Sequence, residues 1–302
     1  MILSFSLCKF SKNRASYLSG KKFLIIGNLF ISHSVSNSKK MKFRLLIPLI
    51  LIAYTPLFSQ LDRYGAVPLF KDKGVVYEYK KSNWDGSHPS TIYLYVADSE
   101  KLESFKWYEG DDEATLVTAI IDWKNYSVKN FINHKLRKGK TPELIAQLKM
   151  ESDKKIRIDV GPMHDSLMID ELPWQSYDFD FAGLGLTWRA LKDKKQSFWF
   201  HIADAGMING NMAFITKGRV DVKFTGYEKV NEKECLKYSA NGPGLENKGG
   251  HIWIDPDNFM IEQYRIELPD EQGFENGMLL LVKKHKMSSN EWEMFMKKCL
   301  GE

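Results

Sequence analysis

After residue 60, apolar and polar positions alternate with a period of two along most of the chain, the pattern of strands with one buried face. Residues 75–80 (VVYEYK) and 91–97 (TIYLYVA) are short and rich in β-branched and aromatic side chains. NWDGSHP between them carries strong turn chemistry. Residues 106–108, 116–123 and 127–131 continue the pattern. Over 177–181, Tyr177, Phe179 and Phe181 share one face and Asp178 and Asp180 the other. AGLGL at 182–186 interrupts with two glycines, and strands resume over 186–191 and 197–203. The latter places Phe198, Phe200 and Ile202 together. A turn at 209–211 precedes strands at 212–217 and 219–227. In the second, Val220, Val222 and Phe224 oppose Asp221, Lys223 and Thr225. A strand at 235–240 and a glycine-rich loop at 241–250 lead to HIWID (251–255) and MIEQYRIEL (260–268), a hairpin closed by PDNF. Residues 279–284 form the last strand.

Two segments read as helices. In TPELIAQLKM (141–150), Thr141 can cap, Pro142 fits the first helical position and Glu143 the first turn. Over 288–300, Ser289 can cap, Glu291 and Glu293 sit in the first turn, and Lys297 and Lys298 in the last. Trp292, Met296 and Cys299 line one face there. Many strands, tight turns and few helices predict a mainly β fold. The expected form is a strongly curved antiparallel sheet, or open half-barrel, with one short internal helix and a C-terminal helix.

The first sixty residues differ in kind. They hold nine Lys or Arg and no Asp or Glu. Lys42 and Arg44 precede an apolar run from Leu45 to Tyr54, and a short segment then ends near Ser59, as in a secretory signal. The expected organisation is an N-terminal extension over 1–40 ahead of a start at Met41, a signal peptide over 41–59, and one β-rich domain over 60–302. Pro48 and Pro56 interrupt the run, which falls short of the ~20 apolar residues that span a bilayer. No transmembrane span is therefore expected after cleavage, and the periplasm or the exterior of a Gram-negative cell is the expected place of work.

Charge changes its sign once the signal is set aside. The whole chain carries a formal +5, but the 34 Lys and Arg beyond residue 60 face 38 Asp and Glu, a net of −4. No cationic surface for nucleic acid is implied. All eight Trp lie in the exported part, which promises a sizeable core. Cys235 and Cys299 are the cysteines left there; an export compartment lets them pair, and two separate thiols are the alternative.

Catalytic and metal chemistry finds little support. His164 with Asp165, and His251 with Asp255, are the nearest His–carboxylate pairs in sequence. On a strand, positions i and i+4 lie about 13 Å apart, too far to share one metal. His201 and Asp204 fall on opposite faces. H-E-x-x-H, C-x-x-C and G-x-S-x-G are all missing from the sequence. Asp178 and Asp180 read as a solvated strand face rather than as the carboxylate pair of a glycosidase. The glycines of 241–250 lack the Lys-Ser/Thr of a phosphate loop. No enzyme, metal or cofactor is expected.

Residues 219–268 carry an ordered set of features: a strand with a G-x-E element (Gly226, Tyr227, Glu228), ECLKYSA, a glycine-rich turn, then HIWIDPDNFMIEQYRIEL. This order resembles the C-terminal half of exported bacterial domains with the lipoprotein-carrier (LolA-like) fold. One branch of these is a domain family of unknown function in Gram-negative exported proteins. Trp253, Ile254, Asp255 and Pro256 match best. The resemblance implies a half-barrel whose apolar concave face carries lipid or acyl groups in better-understood relatives, with no catalytic site. On this chain Phe179, Phe181, Phe198, Phe200, Phe224 and Tyr264 would wall such a groove, unless Trp292 and Met296 of the terminal helix fill it. The expected function is non-enzymatic binding of an apolar or amphipathic, lipid-like ligand. The alternative is a structural module that contacts an envelope protein partner through a strand edge or an exposed aromatic such as Trp84.

Overall fold

The computed structural model describes residues 60–65, 71–107, 111–152, 154–169, 171–176, 182–208, 211–269 and 273–302. Among them run fifteen strands of one sheet. The N-terminal eight are β1 (Val75–Ser82), β2 (Ser90–Val96), β3 (Lys101–Trp107), β4 (Glu113–Asp122), β5 (Ser127–Arg137), β6 (Glu143–Ser152), β7 (Lys155–Val160) and β8 (Met163–Met168). After β9 (Trp174–Ser176) and helix α1 (Ala182–Ala190) come β10 (Phe198–Ile208), β11 (Asn211–Val230), β12 (Lys233–Asn241), β13 (Gly250–Ile254), β14 (Ile261–Ile266) and β15 (Gly277–Lys286). Helix α2 (Ser289–Cys299) ends the chain.

The strands follow two meanders, joined where β15 pairs with β1 in the order β8-β7-β6-β5-β4-β3-β2-β1-β15-β14-β13-β12-β11-β10-β9. Every pairing is antiparallel except the short parallel one between β9 and β10. Laid flat, fifteen strands would span roughly 65–70 Å. Instead the amide of Trp174 on β9 donates to Ser127 Oγ on β5 at 3.0 Å, although these strands stand near opposite ends of the order. The sheet is thus strongly curved into an open half-barrel, as its mainly β pattern predicts.

The inner face holds the main core. Tyr77 and Tyr79 of β1, Ile92 and Leu94 of β2, Val220 and Val222 of β11, and Ile252 and Ile254 of β13 all join it. The alternation read at Val220, Val222 and Phe224 holds, with both valines fully buried. Residues 212–217 and 219–227, expected as two strands, belong to the single long β11. Its continuity depends on bulges rather than a break. Gly218 lies beside the bulge at Ile202/Ala203 with φ of 114°, and Gly226 beside a second with φ of 136°. A side chain is strained at either angle.

Two expected elements are corrected. Of residues 141–150, 143–150 form most of strand β6 and none a helix, with Asn130 through Lys135 on one side and β7 on the other. The cap residues are there, but no 3.6-residue apolar stripe accompanies them; Ala146 and Leu148 are the buried positions, two apart. Residues 186–191, expected as a strand, lie in and just after α1. Two glycines make this a poor helix by propensity. Its burial compensates: Thr187, Trp188, Arg189 and Ala190 are all buried. Lys194 Nζ, 2.7 Å from the Arg189 carbonyl and 2.5 Å from that of Leu191, places a cation at its C-terminal end.

The C-terminal helix forms as expected, one residue displaced at its start. Ser288, not Ser289, is the N-cap, with its Oγ accepting from the Glu291 amide while Glu291 Oε2 accepts from the Ser288 amide at 2.7 Å. Trp292 and Met296 do not enter the concave face. With Leu300 they pack on the opposite face of the sheet, against Val76, Tyr95, Phe105, Ala114 and Leu136. Trp292 stacks on Tyr95 at 5.2 Å and donates from Nε1 to Glu103 at 2.7 Å. Ser288→Ala should lower stability by about 1 kcal/mol, the usual worth of an N-cap, read as a fall in urea midpoint at unchanged slope. No change in midpoint would mean that the capping box is not formed in solution.

Candidate functional site

The concave interior is filled from within by α1. The Trp188 indole meets the Phe198 ring edge-on at 5.2 Å and the Tyr238 ring at 5.4 Å. Phe198, Phe200 and Tyr264, three of the expected groove walls, are buried in this packing at 1%, 0% and 4% exposure. Phe224 is half-buried between Tyr227 and Tyr238, at 5.5 and 5.6 Å. Phe179 and Phe181, together with Tyr177, Asp178 and Asp180, lie outside the described residues.

Among the described residues, a cleft of about 470 Å³ opens at one mouth of the half-barrel. Strand register builds one wall. Tyr77 stands opposite Lys284 and Val75 opposite Lys286, so these four alternate positions of β1 and β15 share a face. The turn between β13 and β14 brings Asp257, Asn258 and Phe259 to the cleft. That turn is tightly bonded. Asp255 Oδ1 accepts from the Asp257 amide and Asn258 Oδ1 from the Met260 amide, with Phe259 left-handed at φ 57°. The end of α1 contributes Arg189, and the approach to β1 contributes Lys71 and Asp72.

Two ionic groups stiffen the mouth. In the first, Arg189 grips Asp72 with two bonds, at 2.7 and 2.5 Å, and the Tyr77 hydroxyl donates to Asp72 Oδ2 at 2.7 Å. Burial pulls the Asp72 carboxyl towards protonation, yet the guanidinium and the phenol outweigh it and hold it below the usual carboxylate range. Burial together with the Asp72 charge pushes the Tyr77 phenol far up, so it stays a donor. In the second group, the fully buried Asp255 binds Lys233 and lies 3.2 Å from Lys284 Nζ. Burial raises Asp255, but the bond from Lys233 and its other partners bring it below the usual range. Glu262, 3.4 Å from Lys233 and 3.8 Å from Lys284, goes the other way, because its burial exceeds what the two lysines return.

The aromatic faces at the cleft are covered by ammonium groups. Lys284 Nζ lies 5.4 Å from the centre of the Tyr77 ring, and Lys194 Nζ lies 4.5 Å from that of Phe259. Burial pushes the Lys194 amine down to about 8.

The remaining residues singled out in the sequence are dispersed. Cys235 and Cys299 are free thiols, the first buried beside Val230 and Trp253, the second against α2's own cluster. His164 meets Asp159 at 2.7 Å rather than its neighbour Asp165. His251 lies 5.9 Å from the Trp253 ring, and His201 lies 3.4 Å from Glu171. His285 borders the cleft, but its ring bonds Glu78 at 2.6 Å, and strand alternation puts Glu78 with Val76 on the α2-facing side. Among the described residues, no serine, threonine or cysteine lines the cleft. Among the described residues, no group of three or more His, Cys, Asp or Glu is placed to hold a metal ion. Trp84, in the β1–β2 turn, is 42% exposed, and its Nε1 donates to the Gly277 carbonyl at 3.1 Å. Among the described residues no helix is long and apolar enough to cross a membrane, which leaves strands unaddressed.

Sequence reasoning missed the cleft, although part of it carried a signal. LVKKHK at the end of β15 places Lys284 and Lys286 two apart on one face, and Asp255 stands in the hairpin motif already singled out. Arg189 was hidden by the misassigned helix. Compared with known proteins, the chain matches no family model and no curated protein.

Proposed function

We propose that this protein is an exported, non-enzymatic binder of an amphipathic, lipid-like ligand, working in the periplasm or outside a Gram-negative cell. The observation that carries the reading is the mouth cleft, where Val75 and Phe259 adjoin lysine side chains with apolar stems and charged tips. Its volume falls within the ~300–1,000 Å³ common for small-molecule sites. The interior behind it is packed, so the ligand sits at the mouth and not along Phe198 and Phe200. Burial of apolar area at about 25 cal/mol per Å² supplies the driving force. Micromolar affinity is a reasonable yield once ordering costs are met. The signal-like residues 41–59 and the resemblance to the lipoprotein-carrier fold support export and the ligand class. The non-enzymatic reading rests on the bonding of the local acids: Asp72 is committed to Arg189 and Tyr77, and Asp255 to Lys233 and Lys284.

The test is native mass spectrometry of protein purified from the envelope, with titration of the emptied protein by a lipophilic fluorophore. Copurified lipid and a saturable fluorescence rise with micromolar midpoint are expected. A lipid-free protein that leaves the fluorophore unchanged would remove the proposal. One observation favours an envelope interaction module as a second reading: the exposure of Trp84 at a turn tip. A pull-down that returns one stoichiometric partner, lost in Trp84→Ala, would favour it.

A further inference from the structure

We infer that the ligand of the mouth cleft carries an anionic head group, a carboxylate or phosphate, held by Lys71, Lys284 and Lys286. This inference rests on the reading that the cleft is the ligand site. Among the described residues, the cleft is lined by four cations, Lys71, Arg189, Lys284 and Lys286, and by two carboxylates, Asp72 and Asp257. Arg189 and Asp72 neutralise one another through two short bonds, both side chains being buried. Three lysines then face Asp257, whose side chain is 85% exposed and 4.0 Å from a further lysine, Lys233. Solvent screens so exposed a charge.

Placement favours a shared anion. Lys284 and Lys286 project from the same face of β15, their backbones about 7 Å apart by strand geometry, and long side chains easily converge over that distance. Lys284 is held by Asp255 and by the Tyr77 ring, while the Lys286 amine is held by the Lys73 carbonyl. Both amines are thus oriented before a ligand arrives, which reduces the ordering cost of a charge-assisted bond. Behind them Lys233 and Lys284 meet Asp255 and Glu262, which holds the Lys284 stem in place at the back of the cleft.

A cationic head group is disfavoured on two counts. The lysines repel it, and the aromatic faces that would cage a quaternary ammonium already carry Lys284 on Tyr77 and Lys194 on Phe259. A carboxylate or phosphate matches the ammonium donors of the cleft.

The test displaces a lipophilic fluorophore from the full exported protein with three amphiphiles of one chain length: dodecyl phosphate, dodecanol and dodecyltrimethylammonium, with inorganic phosphate as a fourth arm. Dodecyl phosphate should bind about tenfold tighter than dodecanol or better, a gap that narrows as salt rises. In Lys71→Gln/Lys286→Gln, both exposed positions, the gap should shrink to about threefold or less, because dodecyl phosphate loses more affinity than dodecanol. Displacement by inorganic phosphate alone would support the anion site and identify a free anion, not a lipid head, as sufficient. Equal affinity for dodecanol and dodecyl phosphate, or preference for the ammonium, would overturn the inference while leaving amphiphile binding intact. Failure of all three amphiphiles would instead remove the reading beneath it.

Discussion

Trp188→Ala should destabilise the protein by about 3–5 kcal/mol, the range for deleting a large aromatic from a packed core. Trp188 is completely buried, on a helix that sits inside the curved sheet, and it touches two strands of the C-terminal meander, β10 through Phe198 and β12 through Tyr238. Its removal takes away the transfer energy of the indole and leaves a cavity that the surrounding strands cannot close without shifting register. For a domain of this size, each kcal/mol moves the melting temperature by roughly 2–4 °C, so a fall on the order of 10 °C is expected. Trp188→Phe should recover more than half of it, since a smaller aromatic still meets the two rings. Thermal unfolding followed by far-UV circular dichroism reads both. A loss under about 1 kcal/mol for the alanine variant would show that α1 does not fill the concave face, far below the cost expected of so large a void. The groove expected from the sequence would then regain its place.

The strands were legible because one face of each is buried and the other wet. That condition leaves a period of two, and β11 shows it plainly, with Val220 and Val222 buried between the more exposed Arg219, Asp221 and Lys223. Helix α2 was legible because it lies on a surface, with Trp292 and Met296 inward and charges outward. Helix α1 was not. Its last turn is buried from Thr187 to Ala190, which leaves no wet face there to set a period, and its glycines argued for a break. Strand β6 failed for the opposite reason: Thr141, Pro142 and Glu143 imitate a helix start, and local cap chemistry was weighed above the alternation of Ala146 and Leu148. The cleft depends on α1 and on long-range register. Lys71 and Asp72 come from ahead of β1, Arg189 from α1, Phe259 from a hairpin turn and Lys284 from the last strand. Nothing local marks such residues as neighbours, and only the pairing of β1 with β15 brings the two ends of the domain together.

Arg189→Met should cost about 3–5 kcal/mol at pH 7, because it leaves the Asp72 carboxylate buried with the Tyr77 hydroxyl and without its cation. Asp72→Asn should cost a similar amount by stranding the guanidinium. The double variant should be less damaged than the sum of the two, by on the order of 2 kcal/mol, since neither charge is then left alone. The pH dependence separates this ion pair from simple packing. In the native protein the Asp72 carboxyl lies below its unfolded value of 3.8. The unfolded chain therefore takes up that proton first on acidification. The pair's contribution is complete well above pH 3.8 and is lost as the pH falls through the native value. In Arg189→Met the sign reverses. Burial then acts on Asp72 with only Tyr77 to oppose it, the folded form binds the proton more tightly, and the penalty shrinks as the pH is lowered from 7 towards 4. The difference in unfolding free energy between native protein and variant, measured by urea titration across that range, should thus narrow with acid. A difference that stays constant from pH 7 to 4 would mean that Arg189 contributes through its packing alone, and that Asp72 is not the charge that fastens α1 into the mouth of the barrel.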